Sequence, residues 1–180
     1  MATEILLPTS DESSSGTIVY SSGATAYNLL DDDDSGTNYL QFQSDGFISM
    51  NYSDLTVTPE AINSVTMAAA CRSVGAFDTQ QFRGFVKIGG TKYYSGYQDI
   101  VVSAWGTSLS AVWTANPATG EPWTAPVVNA LIAGFELSSW SSNHAEVSYL
   151  PLTVDYYGLQ ASLEATRYVA SLDLFHNRKP

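Results

Sequence analysis

The chain has 180 residues, 44 % of them hydrophobic and 12 % aromatic, which suits one domain around a single core and excludes disorder along the whole length. Only 14 % of the residues are charged, the net charge is −11, and the first Lys or Arg is Arg72. Such a chain repels nucleic-acid phosphates and anionic membrane surfaces, and its polar surface must come from Ser, Thr, Asn, Gln and Gly, a composition of turn-linked sheets more than of helical bundles.

The predicted elements begin with a Ser, Thr and Gly-rich lead-in arm over residues 1–26, holding one candidate edge strand at Thr17-Ile18-Val19-Tyr20. No basic and apolar leader of the secretory type opens the chain, and no apolar run reaches the ~18 residues that span a bilayer. The expectation is therefore a protein made in a cytoplasm that does not exit by the general secretory route on a signal of its own. Asp31 to Asp34 form a loop, since like charges this dense cannot be buried. Asp31, Asp33, Ser35 and Gly36 echo the start of an EF-hand loop, but Phe42 stands where the bidentate Glu belongs, so a solvated acidic loop is the better reading.

From residue 38 the pattern has period two. Strands are expected at Tyr39–Gln43 and Phe47–Tyr52, then at Ser64–Arg72 with Val65, Met67, Ala69 and Cys71 on one face. Cys71 is the single cysteine; no intrachain disulfide can form, and a small buried hydrophobe is its expected role. Over 82–88, Phe82, Gly84, Val86 and Ile88 face one way and Arg83, Phe85 and Lys87 the other. Gly89-Gly90 marks a hairpin turn into Thr91–Tyr94. Residues 100–104, 108–114, 133–140 and 146–157 continue the series. Thr124 as N-cap, with Pro126 in the first turn, predicts a short helical crossover over 124–131. Many short strands at this spacing mean an antiparallel sandwich or barrel. The tail 158–180 fits a helical stripe (Ala165, Tyr168, Val169, Leu172, Phe175) and a strand (Tyr168, Ala170, Leu172, Leu174) equally well; it carries three basic and two acidic residues and suits docking on the domain or a neighbour.

One stretch is more specific: Trp113-Thr114-Ala115-Asn116-Pro117-Ala118-Thr119-Gly120-Glu121-Pro122-Trp123-Thr124, followed by Asn129-Ala130-Leu131 with Gly134-Phe135-Glu136, and by Val154-Asp155-Tyr156. Asn116-Pro117 opens a turn, Gly120 closes it, and Trp113 and Trp123 flank it as candidate fold determinants. The stretch resembles the W-T-x-N-P-x-T-G-x-x-W-T motif of virion structural proteins of tailed bacteriophages, and the likeness extends over residues 27–157. That resemblance implies an all-β, antiparallel jelly-roll sandwich of lectin and glucanase shape, with one short crossover helix and extended N- and C-terminal arms. It further implies a non-enzymatic virion subunit, a capsid decoration, minor capsid or head–tail protein made in a bacterial cytoplasm, with major capsid or tail proteins as partners and homo-oligomers expected.

The residues argue against catalysis. Glu121, Glu136, Glu146 and Asp155 stand singly, without the alternating acids that a glucanase needs on either side of its bond. There is no G-x-S-x-G elbow, and His144 and His176 are too far apart, without paired cysteines, to suggest zinc. No cofactor, metal, nucleic acid or membrane partner is expected. The alternative function is a lectin-like module for a surface glycan during host attachment, with Trp105, Trp113 and Trp123, beside Asn116, Pro117 and Gly120, as its candidate contact residues; Trp140 and the many tyrosines add to the aromatic supply.

Overall fold

The computed structural model describes residues 1–21, 25–30, 38–74, 80–100, 105–138 and 144–159. The acidic run Asp31–Asp34, most of the predicted strand 100–104, Trp140 and the tail from 160 onward lie outside that set.

Two antiparallel sheets face each other. The first holds seven strands: β1 (Ala2–Leu6), β3 (Ile18–Tyr20), β4 (Leu40–Phe42), β6 (Pro59–Val74), β10 (Gly106–Trp113), β12 (His144–Tyr149) and β13 (Leu152–Leu159). The second holds six: β2 (Pro8–Ser15), β5 (Gly46–Tyr52), β7 (Gln80–Ile88), β8 (Thr91–Tyr94), β9 (Gln98–Ile100) and β11 (Ile132–Ser138). From β4 to β7, and again from β9 to β12, each connection crosses to the opposite sheet, the habit of a jelly roll. The short helix α1 (Ala125–Asn129) makes the crossover from β10 to β11; Thr124 precedes it and a proline lies in its first turn, although the Thr124 hydroxyl caps no N–H.

The period-two residues meet between the sheets. Phe42, Val65, Met67, Cys71 and Val147 of the first sheet and Ile48, Met50, Phe82, Val86 and Phe135 of the second are all buried. Phe135 meets Phe42 edge-on at 5.2 Å and Phe82 at 5.4 Å, joining the two layers. β6 is the spine of the first sheet. β10 runs along one edge of it, and β12 and β13 follow each other along the opposite edge, with Tyr149 opposite Ala70 and Leu152 opposite Met67.

The structure departs from the sequence expectation in two places. Within the expected lead-in arm, Ala2–Leu6 and Pro8–Ser15 are strands β1 and β2, paired with β13 and β5; β3 is the edge strand expected at 17–20. β2 carries no apolar alternation because it is an edge strand with register shifts near Thr9 and Glu12, held by polar contacts. The single strand expected over 146–157 is two, because Leu150-Pro151 interrupts the ladder.

Candidate functional site

The outward face of the second sheet is a grid whose rows are set by strand register. One row runs Phe47–Glu136–Arg83, the next Ser49–Gly134–Phe85–Tyr94, the third Asn51–Ile132–Lys87–Lys92, in the strand order β5, β11, β7, β8. Gly134 has no side chain at the centre, and the Phe85 ring lies over it: a Cβ there would stand 2.8 Å from Phe85 Cζ. Phe47 and Tyr94 meet Phe85 edge-on at 6.1 and 5.6 Å. Phe85 is fully buried although it points away from the core, because its neighbours on this face cover it.

Three of the four Lys and Arg side chains among the described residues, Arg83, Lys87 and Lys92, share this face of an acidic chain. Arg83 pairs with Glu136, its Nε donating at 2.9 Å, and its guanidinium lies 3.7 Å from the Tyr94 ring centre and 4.6 Å from that of Tyr97. The Tyr94 hydroxyl donates to the other Glu136 oxygen at 3.0 Å; burial, with the carboxylate, holds that phenol above its usual pKa. Lys87 reaches Glu12 at 2.7 Å, and Glu12 also accepts from Ser13 (2.5 Å) and Ser49 (2.6 Å). These bonds favour the charged form and lower the Glu12 pKa to about 2. Glu12 sits where the β2 register shifts, which lets it and Ser13 both reach Ser49. The Lys92 ammonium lies over the Phe47 ring, 2.9 Å from its centre, and 4.4 Å from that of Phe85; burial lowers its pKa.

Beside this grid a groove of about 390 Å³ is lined by Ser15, Asp45, Gly46, Phe47, Tyr97, Glu136, Leu137 and Ser138. Tyr94 and Tyr97 are 38 % and 46 % exposed, so each offers ring surface to solvent beside the forked Arg83–Glu136 pair. Aromatic surface next to fixed charged hydrogen-bonding groups and hydroxyls is the make-up of a polar ligand site.

The residues singled out in the sequence lie elsewhere. Trp113 and Trp123 are buried, and the Trp123 indole N–H donates to the Trp113 carbonyl at 2.9 Å, closing the base of the 114–122 turn. Within that turn Asn116 is buried; its side-chain oxygen accepts from Ala118 N–H and its carbonyl from Gly120 N–H, with Gly120 at φ +78° and Pro117 half-buried. Trp105 stands at the outward face of the first sheet, against Tyr39 (6.1 Å) and under the Arg72 guanidinium (4.6 Å). Arg72 in turn pairs with the buried Glu146 at 2.5 Å, and Gln41 donates to the same carboxylate. Glu136 belongs to the grid and Asp155 accepts from Ser64. Among the described residues no group of three or more His, Cys, Asp or Glu side chains could hold a metal ion, and no helix is long and apolar enough to cross a membrane.

No family model and no curated protein matches the chain. Among solved structures it is similar to the CBM22-1 xylan-binding domain of Paenibacillus barcinonensis Xyn10C, with a TM-score of 0.50 and 12 % identity over 87 % of this chain and 98 % of that one. It is also similar to the Clostridium thermocellum Xyn10B CBM22-1–GH10 modules complexed with xylohexaose, with a TM-score of 0.46 and 12 % identity over 83 % of this chain and 27 % of that longer one. At this identity the first likeness speaks for the fold: the chain is an all-β sandwich of two antiparallel sheets with the architecture of a CBM22 domain.

Proposed function

We propose that this domain is a non-catalytic, lectin-like carbohydrate-binding module whose ligand lies on the outward face of the second sheet, over Tyr94 and Tyr97 and along the groove beside Phe47. One observation carries the proposal: two exposed tyrosine rings are braced against a single guanidinium, and Arg83 is itself fixed by Glu136. A pyranose presents an apolar C–H face that stacks on such rings, while its neighbouring hydroxyls are read by forked charged groups and by hydroxyls such as Ser15 and Ser138. Because the rings are held before the ligand arrives, little ordering cost is left for binding. The fold shared with a domain described as xylan-binding supports a polysaccharide as the ligand class.

The test is a glycan array followed by titration calorimetry on the best ligand, with Tyr94→Ala and Tyr97→Ala. Each change is expected to weaken binding about tenfold, the worth of one stacked ring. Absence of any saccharide ligand, or binding indifferent to both changes, rejects the proposal. A second reading, a subunit of a phage particle, draws on the resemblance of the 113–124 turn and on Ile5 and Val19, exposed on the edge strands β1 and β3 where a neighbouring strand can add. In that setting glycan binding would serve host attachment from the particle surface. Its check is whether purified virions contain the protein.

A further inference from the structure

We infer that the saccharide taken by this face carries an anionic group, a carboxylate or a sulfate, which seats on the Lys92 ammonium next to the Tyr94 ring. The inference rests on the carbohydrate reading above and names its ligand more closely.

Charge placement is the first ground. The cations of an acidic protein need not gather, yet among the described residues only Arg72 lies off this face. The second ground is how these cations are satisfied. Arg83 is neutralised by Glu136 and Lys87 by Glu12, while Asp99, the further acid on this face, accepts from Gln81. Among the described residues Lys92 forms no direct ion pair with a carboxylate. Its ammonium rests on two rings that take water from one side of it, and burial acts against its charge; Glu136 and Glu12 favour that charge through space, but Lys87 and Arg83, the cations they already pair with, oppose it. A stem that served only to cover Phe85 could end in a methyl group at no such cost; Met would do. An anion arriving from the solvent side restores the lost interaction and makes a charge-assisted hydrogen bond. The ligand's charge must also be sparse. A chain of net charge −11, with Asp45 and Glu136 lining the adjoining groove, repels a dense polyanion, so single acidic substituents on an otherwise neutral glycan suit the site.

The experiment uses the full chain on an array that pairs neutral oligosaccharides with their uronate and sulfated counterparts. The acidic member of a pair is expected to bind about tenfold more tightly, the worth of one charge-assisted hydrogen bond. That preference should fade as salt shortens the screening length from about 10 Å to about 3 Å. Lys92→Met, which keeps the stem over Phe85, should erase the difference between acidic and neutral members, and Lys92→Arg should keep it. Whether uronates, sulfated sugars or both are favoured identifies the source of the anion. Equal binding of neutral and acidic members, or a preference that survives Lys92→Met, overturns this inference and leaves the carbohydrate reading standing. Absence of binding to every member overturns both.

Discussion

Gly134→Ala tests the geometry of the outward face most directly. A Cβ on Gly134 would overlap the Ile48 carbonyl oxygen of β5 and stand 2.8 Å from both Ser49 Cα and Phe85 Cζ. Two of these three obstacles are backbone, which cannot swing aside as a side-chain end can. Either β5 and β11 separate locally or Phe85 leaves its place under Tyr94 and Lys92. Overfilling a close-packed site costs about 1–3 kcal/mol, and backbone obstacles put this case near the top of that range. With a urea m-value of about 2 kcal/mol per molar, the unfolding midpoint should fall by about 1.5 M. Gly96→Ala is the matched control, because a Cβ there meets nothing within 4 Å; its stability should stay within about 0.5 kcal/mol of the parent, a midpoint shift of at most about 0.25 M. Adding Phe85→Leu to Gly134→Ala should recover only part of the loss, since the Ile48 carbonyl remains in the way. If Gly134→Ala and Gly96→Ala unfold at the same urea concentration, the close approach of β5 and β11 at this point is refuted.

Three further outcomes follow from single contacts. Trp123→Phe removes the buried indole donor that the Trp113 carbonyl accepts from, a loss of about 1–3 kcal/mol in urea unfolding. Arg72→Met strands the Glu146 carboxylate, whose side chain is only 4 % exposed, at a cost of about 3 kcal/mol, and adding Glu146→Leu should restore most of it. Glu12 has a folded pKa of about 2 against an ordinary value of 4.5, so the stability it supplies is complete above pH 4.5 and drains away as pH falls through about 2. Its partner and its own side chain are each about one-fifth exposed, which limits the effect to about 1 kcal/mol; Glu12→Gln should be less stable than the parent at neutral pH, with the gap closing across that window.

Strands with a buried face were legible in the sequence. The run Val65, Met67, Ala69, Cys71 gives the inward side of β6, and Phe82, Gly84, Val86, Ile88 that of β7, because alternation is the direct imprint of a face turned to the core. β2 was not legible: Pro8-Thr9-Ser10-Asp11-Glu12-Ser13-Ser14-Ser15 buries almost nothing, and what makes it a strand is β5 beside it together with hydrogen bonds that Asp11 accepts from Ala26 N–H and Glu12 from the Ser49 hydroxyl. The candidate site was half legible. The outward set Arg83, Phe85, Lys87 and the hairpin to Thr91–Tyr94 could be read locally, but Glu12, Phe47 and Glu136 reach that set only through sheet pairing across dozens of residues. The usable signal was the clustering of Arg83, Lys87 and Lys92 within one hairpin of a chain otherwise poor in cations. Tryptophan drew attention instead because large rings stand out in composition, and in this fold Trp113 and Trp123 serve the base of a turn.

The pairing of β1 with β13 sets an order of events during synthesis. Leu6 finds its ladder partner at Leu152, so about 150 residues must be made before that edge of the first sheet can close. At about 5–20 residues per second the interval lasts about 8–30 s. Throughout it the strand β1 waits with its apolar positions uncovered, and β6, once made, stays open along the side that β12 and β13 will later occupy. The nascent chain is therefore most exposed to aggregation, and most dependent on chaperone cover, just before its final described strand emerges.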